Sequence, residues 1–567
     1  MGDLREYATD VTKPEVAVFV SGVASMGLEI LAGRIVAPQY GSSIYTWGSI
    51  IAVFLAALSL GYHYGGKRAA SRATTDRLIR LFVLTAGYVA VVIFADDLLL
   101  AAAAAMPLPY RFASLPAVIL LFGLPTYLLG FVSPYAAQLS EKEGVGEASG
   151  HVYAVGTIGS IVGAFGTTFF LIPALGIDRI ALAFGLLLTA TAVWLAAPRL
   201  RRRSVFAALA VSLVLVAAVA SGSLGFSTGG KVVYQTQTPY QELEVADLGD
   251  TRTLYLDGQR HSAMDKSDPD RHVFDYTRYF HAPYLFADDP DDIDRVLFVG
   301  GGGFTGPKRF VEEYNATVDV VEIDPEVIDV AERYFGVEES EQLNVHNADG
   351  RQFLRETDRE YDLIVLDAYK KDKVPFQLTT VEFMQLANDR LSEEGMLFAN
   401  LISAPDGSAS QFYRAEYKTM ARVFPQVYAF PTSETGAVQN IELVATKNDT
   451  RITEAQLRER NDRRDIGIDL SAEIESYRHD ESTDDVPVLT DDHAPVDSLM
   501  DPMMGQRYVV EESERNESED RPRARDARPG ASVAPSESAF DLELAAPGSG
   551  PATPDLGPAL TAASTTA

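Results

Sequence analysis

The sequence predicts a multi-span α-helical membrane bundle followed by an α/β domain with a doubly wound, mostly parallel sheet and a small β-hairpin module at its front. Three observations predict this. Apolar runs of near-spanning length fill the first 225 residues, and short buried runs alternate with helical stretches from Val296 onward. A strand, Val296–Val299, enters four consecutive glycines, Gly300 to Gly303, and a second, Val318–Ile323, presents Glu322 twenty-two residues after the first glycine. Glycines there permit a tight turn and close approach of a ligand, while the acid can take two ribose hydroxyls. The second half is therefore read as Rossmann-like, of the class I methyltransferase-like type.

Seven apolar runs are expected to span: Val16–Val36, Ile44–Tyr62, Leu81–Ala103, Leu115–Pro134, Val152–Leu171, Ile180–Ala196 and Val205–Ala220. Each is near the roughly 20 residues needed to cross the hydrocarbon. Gly156, Gly159, Gly163 and Gly166 stand at helical spacing and would allow close helix packing. The first run lacks a basic start and is followed by further spans, so it does not read as a cleaved signal. Glu29 and Arg34 stand one and a half turns apart in it. A carboxylate at membrane depth marks a site by default. Two readings stay open: Glu29 pairs with Arg34 or a tyrosine and locks the bundle, or it serves transport or polyamine sensing.

Orientation sets two arguments against each other. The basic stretch Lys67, Arg68, Arg72, Arg77, Arg80 and the cluster Arg199, Arg201 to Arg203 should both face the cytoplasm. Seven spans then put the following domain outside. An adenosyl ligand made in the cytoplasm favours the opposite, a cytoplasmic domain on a multi-pass membrane protein. That would follow if Leu81–Pro109 broke into two short segments at Asp96–Asp97, or if the last run lay in the interface.

The soluble half opens with short strands at Val232–Tyr234, Glu242–Ala246 and Thr253–Leu256, with turns at Gly249–Asp250 and Asp257–Gly258. Strands at Val296–Val299, Val318–Ile323, Leu343–His346, Leu363–Leu366 and Met396–Ala399 are separated by helices near Lys308–Tyr314, Pro325–Tyr334, Arg351–Glu356 and Thr380–Leu391. A helix at Ala409–Ala421 precedes Gln426–Phe430 and Asn440–Thr446, which fit an antiparallel finish. The expected divisions are 1–225, 232–290, 291–450, a C-terminal extension 451–510, and a Pro-, Ser- and Ala-rich tail 511–567 read as disordered. His493 reads as a loop residue.

Ligands of such sheets bind beyond the carboxyl ends of the strands. Those ends supply Gly300, Gly301 and Gly302, then Glu322, then Asp349 and Gly350, then Asp367. Asp349 is placed to accept from an adenine amino group, and Asp367 stands where a reacting group needs a proton acceptor.

These residues resemble the spermidine synthase family of aminopropyltransferases in its membrane-fused branch, over roughly Tyr234–Leu499. The resemblance rests on Tyr240–Gln241, the Leu256–Asp257–Gly258 turn, the glycine run, Val321–Pro325, Ala348–Asp349–Gly350, the Asp367–Pro375 segment, Leu378–Thr380 with Glu382–Phe383, and Thr490–Val496. It implies decarboxylated S-adenosylmethionine as co-substrate, with no permanently bound cofactor and no metal, and a diamine such as putrescine as acceptor. Gln241, Gly300, Gly301, Gly302, Glu322, Asp349 and Gly350 would bind the donor. Asp367 would be the catalytic acceptor of the amine proton and Asp372 the anchor of a distal ammonium. Tyr276 and Tyr369 would offer ring faces to cations or simply pack. A lipid bilayer and a second copy of the chain are the expected partners.

Departures from the family stand beside the likeness. Soluble members carry an acid directly after three glycines, where Gly303 and Phe304 stand here, and their Tyr-His-Glu has no match around Asp275–Thr277. Lys370 and Lys371 put positive charge beside the pocket unless both point to solvent. An S-adenosylmethionine-dependent methyltransferase, and a membrane transporter or sensor with a non-catalytic adenosyl-binding domain, are the alternatives.

The net charge is −31, from 79 acidic and 48 basic residues, and there is no cysteine. The excess disfavours a nucleic-acid partner, and the missing cysteines exclude disulfides and thiolate chemistry. Such a surface suits concentrated salt, where screening shortens from about 10 Å at 0.1 M to about 3 Å at 1 M. Dialysis of the purified protein out of molar salt should therefore lower its melting temperature by circular dichroism. An unchanged melting curve in dilute buffer would remove the salt-adapted reading.

Overall fold

The computed structural model describes residues 12–513 apart from 42, 107, 141–144, 198–201, 223–229, 372, 480 and 505. Six helices among them are long and apolar enough to cross a membrane: α1 Lys13–Tyr40, α2 Ile44–Arg72, α3 Thr75–Ala104, α4 Arg111–Leu139, α5 Gly146–Ala174 and α6 Ile177–Ala196. The seventh expected span is a helix, α7 Arg202–Gly222, whose apolar stretch, Val205–Ala220, is shorter than the other six. The protein is thus a multi-pass membrane protein.

Close packing in the bundle follows from its small residues. A Cβ on Gly159 would come within 2.2 Å of the Phe19 carbonyl oxygen, and one on Gly163 within 2.3 Å of that of Val23. Glycine alone permits α5 to lie backbone to backbone on α1. Gly166, at the same spacing, has nothing within 4 Å.

Two helices meet within α3 at Ala95, whose φ of −132° and ψ of 17° are not helical, directly before Asp96 and Asp97. α7 packs on α3 and α6 with Ala208, Leu215 and Ala218 buried. Lys13, at the start of α1, donates to the carbonyl of Leu195 at 3.2 Å and to that of Ala197, which puts the end of α6 at the same pole. At the opposite pole Arg34 and Tyr45 reach the soluble half. Chain alternation leaves Lys67, Arg68, Arg72, Arg77, Arg80 and Arg203 at the pole of Lys13, away from the soluble half.

The soluble half holds two sheets. The first is antiparallel, β1 Lys231–Gln237, β2 Glu242–Leu248, β3 Thr251–Leu256 and β4 Gln259–Asp265, in that order. Asp257 and Gly258 at its tip have φ of 51° and 74°, the mirror-image turn that suits a two-residue hairpin. β4 was not expected: Gln259–Asp265 is polar and its burial only partial.

The second sheet has seven strands: β5 Arg295–Val299, β6 Thr317–Glu322, β7 Leu343–Asn347, β8 Tyr361–Leu366, β9 Leu391–Ser403, β10 Gln426–Pro431 and β11 Gln439–Thr446. Their order is β10-β11-β9-β8-β5-β6-β7. β9, β8, β5, β6 and β7 run parallel, and β11 is antiparallel to both neighbours. Alternate residues feed two cores. Leu297, Val299, Ile364 and Leu366 enter one, while Val296, Phe298, Leu363 and Val365 enter the other. Both faces are covered, so the strands read as unbroken apolar runs.

Helices α8 Thr305–Tyr314, α9 Pro325–Tyr334, α10 Gly350–Glu356, α11 Val381–Arg390 and α12 Gln411–Met420 connect the strands. β9 extends well beyond the expected Met396–Ala399: its C-terminal end, to Ser403, pairs with β11, and Leu391 at its start pairs with Tyr361 of β8. The expected tail begins at Glu511, yet Glu511 to Ser513 pair with the 273–275 segment through Asp275 N–H to Glu511 O and Ser513 N–H to Val273 O. The remainder of the tail lies outside the described residues.

The loop-charge rule with this chain path predicts an extracytoplasmic enzyme domain. Because the chain has no cysteine, single replacements report cleanly. A membrane-impermeant maleimide on intact cells should label Glu339→Cys and spare Ser71→Cys. The reverse pattern would place the domain in the cytoplasm.

Candidate active site

The strands β8, β5, β6 and β7 are neighbours in that order and run parallel, so their carboxyl ends lie along one edge of the sheet. β5 stops at Gly300, whose φ is 103°. A Cβ there would meet the Asp367 carbonyl oxygen at 2.3 Å, so both conformation and space demand glycine. Asp367 N–H in turn donates to the Val299 carbonyl at 2.9 Å. The glycine turn is thereby laid directly against the end of β8.

Glu322 ends β6 and is buried. Its carboxylate accepts from Gly301 N–H and Asp324 N–H, both at 2.9 Å. Burial pushes its pKa up, and these two N–H groups oppose the shift. A carboxylate oxygen has two lone-pair directions, so acceptor capacity remains for two hydroxyls. Asp324, fully buried, accepts from Thr238 Oγ1 at 2.6 Å and Gln241 Nε2 at 3.1 Å, and caps α9 by accepting from Glu326 N–H. This draws Gln241, from the first sheet, beside the end of β6.

Asp349 caps α10, its carboxylate accepting from Gln352 N–H at 2.9 Å. The expected adenine contact would therefore be shared with a structural one. Arg351, one residue past Gly350, makes a bidentate pair with Asp491 at 2.8 and 2.6 Å. Asp491 also accepts from Thr380 Oγ1 at 2.7 Å. The Thr490–Val496 motif thus braces the third strand end, while His493 is in its reverse turn.

Asp367 accepts from Asn400 Nδ2 at 2.8 Å. Asn400 Oδ1 accepts from Asn440 Nδ2 at 2.6 Å, and Asn440 Oδ1 accepts from Tyr508 Oη–H at 2.7 Å. Burial raises the Asp367 pKa to about 6, against the lowering effect of Asn400. Asn400 on β9 pairs in register with Glu442 on β11. Asp367, just past the end of β8, Asn400 on β9 and Glu442 on β11 therefore follow one another across the sheet.

Sequence reading missed Glu442. It is fully buried and neither carboxylate oxygen has a hydrogen-bond partner. Burial first, then the charge of Asp367, pushes its pKa well up. The available signal was an acid inside the otherwise apolar run Ile441–Ala445. Tyr276 and Tyr508 lie in the same electrostatic neighbourhood.

Other expectations change. Tyr276 donates to the His261 carbonyl at 3.0 Å and stacks on Phe274. Tyr369 is core: it donates to the Leu378 carbonyl at 3.1 Å and packs edge-on to Phe412. Lys370 points inward, donating to Gln241 Oε1 and pairing with Asp257 at 3.1 Å. Lys371 donates to the Gln506 carbonyl. Phe304 is fully buried in the left-handed conformation, with its ring under Gly301. Asp372 lies outside the described residues. Arg34 does not pair with Glu29; it donates to Thr238 O at 3.0 Å and Pro239 O at 2.7 Å.

Residues 278–441 match the Spermine/spermidine synthase domain. The chain is 34% identical over 217 residues to the polyamine aminopropyltransferase of Vibrio vulnificus (strain CMCP6), covering 37% of this chain and 69% of that one. It is 24% identical over 411 residues to polyamine aminopropyltransferase 2 of Ralstonia nicotianae (strain ATCC BAA-1114 / GMI1000), covering 67% of this chain and 77% of that protein. A crystal structure of a probable spermidine synthase from Corynebacterium glutamicum ATCC 13032 shares 21% identity over 41% of this chain and 86% of its own, with a TM-score of 0.36. With the glycine turn, Glu322 and Asp367 gathered at adjoining strand ends, the chain belongs to the spermidine synthase, or polyamine aminopropyltransferase, family.

Proposed function

We propose that the protein transfers the aminopropyl group of decarboxylated S-adenosylmethionine to a diamine such as putrescine, giving a spermidine-type polyamine and methylthioadenosine. The observation that carries this reading is the pair of acids, half-buried Asp367 and fully buried Glu442, that flank Asn400 at the end of the sheet. An amine with a pKa near that of lysine is protonated at neutral pH and cannot attack. Asp367 takes one proton from it. The freed lone pair forms the N–C bond to the methylene beside the sulfonium, and the C–S electron pair goes to sulfur. The new secondary amine leaves as a cation, and the proton on Asp367 passes to solvent.

The other residues hold rather than react. Glu322 takes the ribose hydroxyls, Gly300, Gly301 and Gly302 allow the sulfonium to lie against backbone, and Asp349 and Gly350 border the adenine. Phe304 supplies no charge where soluble relatives place an acid, and Glu442, whose pKa burial pushes well up, is the acid that an ammonium beside it would bring to its charged form. An ammonium beside it would balance a carboxylate that otherwise lacks a partner, which in a buried place costs several kcal/mol. A donor that kept its own carboxylate gains nothing from Lys370, already held by Asp257 and Gln241.

Asp367→Asn keeps the hydrogen-bonding shape and removes the basicity, so turnover should fall by about 10²–10⁴-fold. Products are read by mass spectrometry with putrescine, longer diamines and agmatine offered in parallel. Methyl transfer from S-adenosylmethionine, or tight adenosyl binding with no turnover, would replace this reading. In the wild type kcat/KM should climb as pH rises through about 6, where Asp367 loses its proton, and then level. A profile flat from pH 5 to 8 would remove Asp367 as the base.

Glu442→Gln should raise the diamine KM by about tenfold or more while leaving Tm unchanged or higher, since it replaces a buried acid whose oxygens have no hydrogen-bond partner. An unaltered KM would exclude Glu442 from the acceptor site.

A further inference from the structure

Arg34 belongs to the membrane bundle, in the last two turns of α1, yet its guanidinium leaves the bundle and donates to the Thr238 and Pro239 carbonyls. Those carbonyls open a tight turn. Thr238 N–H donates to the Gln241 carbonyl at 2.8 Å, and Thr238 Oγ1 accepts from the N–H groups of Tyr240 and Gln241, both at 3.1 Å. The side chains of Thr238 and Gln241 both end on Asp324. Asp324 N–H ends on Glu322, and Glu322 holds Gly301. A second branch leaves the turn through Gln241 Oε1 to Lys370, three residues past Asp367. An unbroken chain of hydrogen bonds therefore runs from a membrane helix to the glycine loop.

Thr238 and Gln241 of this turn are buried, while Tyr240 is exposed and Pro239 contributes no N–H. Both carbonyls accept from one nitrogen of Arg34, Nη2, and the planar guanidinium fixes the directions of its two N–H bonds, where a rotating ammonium leaves them free. Asp257 and Asp324 are the acids whose charges act on the guanidinium. Both serve the same turn, directly or through Lys370.

We infer that Arg34 is a positioning residue for the donor site: the membrane bundle sets the Thr238–Gln241 turn, and through it the Asp324–Glu322–Gly301 chain that receives the adenosyl group. The inference rests on the adenosyl-binding reading of that site. It makes the membrane half part of the enzyme rather than an anchor, because donor affinity then depends on a contact supplied from α1.

The test is calorimetric titration of the detergent-purified full-length protein with methylthioadenosine. Wild type should bind at one site per chain, and Glu322→Ala should lose most of that affinity. Arg34→Gln should weaken binding by roughly tenfold, within the range usual for coupling between distinct sites, at unchanged stoichiometry. Arg34→Lys, which keeps the charge but not the planar group that fixes the N–H directions, should fall between. In turnover assays the Arg34 variants should raise the donor KM and leave the diamine KM as in wild type. Equal affinity in wild type and Arg34→Gln would overturn the inference while leaving the site standing. A lowered stoichiometry with unchanged affinity in the remaining molecules would reduce Arg34 to a structural dock and overturn it as well. No binding by the wild type would remove the adenosyl reading and the inference together.

Discussion

The arrangement of this enzyme depends on one buried carboxylate, Asp324. It accepts from a hydroxyl and an amide of the first sheet and caps α9 of the second domain layer, while its own N–H fixes Glu322. Burying a charge without a cation beside it is costly. Burial does push its pKa up, and the donors from Thr238, Glu326 and Gln241 oppose that shift. The donors come from separate parts of the chain, so the carboxylate is stable only when those parts are assembled. A loop at the end of β6 is in this way tied to a hairpin that begins some 80 residues earlier in the chain.

The two acids to which the proposed reaction assigns roles, Asp367 and Glu442, are treated differently. Asp367 keeps an amide donor and stays near a pKa useful to a base, whereas Glu442 is left without a partner. Glu442 is on β11 in register with Asn400 of β9, and Asp367 follows directly on β8, the other neighbour of β9, so their spacing is set largely by sheet register. Rigid register suits a reaction in which a nucleophile must meet a carbon in line, since pre-orientation supplies much of the rate. The polar chain through Asn400, Asn440 and Tyr508 keeps the intervening side chains from collapsing onto either acid.

The membrane half obeys a different constraint. Its core is made of small residues that bring α1 and α5 into backbone contact, and its polar side chains mostly satisfy themselves within a helix turn, as Thr85 and Thr191 do. Arg34 and Tyr45 are exceptions that reach into the soluble half. Interfaces between domains of one chain are commonly polar and mobile. Here the contact lands on the turn that carries Gln241, so any shift of the bundle acts on that turn first.

By itself the sequence determined the helical bundle, the order of strands and helices, and the strand-end residues Gly300, Glu322, Asp349 and Asp367. Each of these follows from local pattern: apolar length for a span, period-two burial for a strand, and glycine where backbone conformation admits nothing larger. The tertiary structure decided what pattern does not encode. Tyr369 became core and Lys370 turned inward because their neighbours come from distant segments. Glu442 became a site residue because β11 pairs with β9, a register visible only once the sheet is formed. Arg34 was read against Glu29, its neighbour along the helix, and instead found partners 204 and 205 residues away. A side chain's spacing along the chain limits what it can reach locally; long-range pairing is set by how the elements pack.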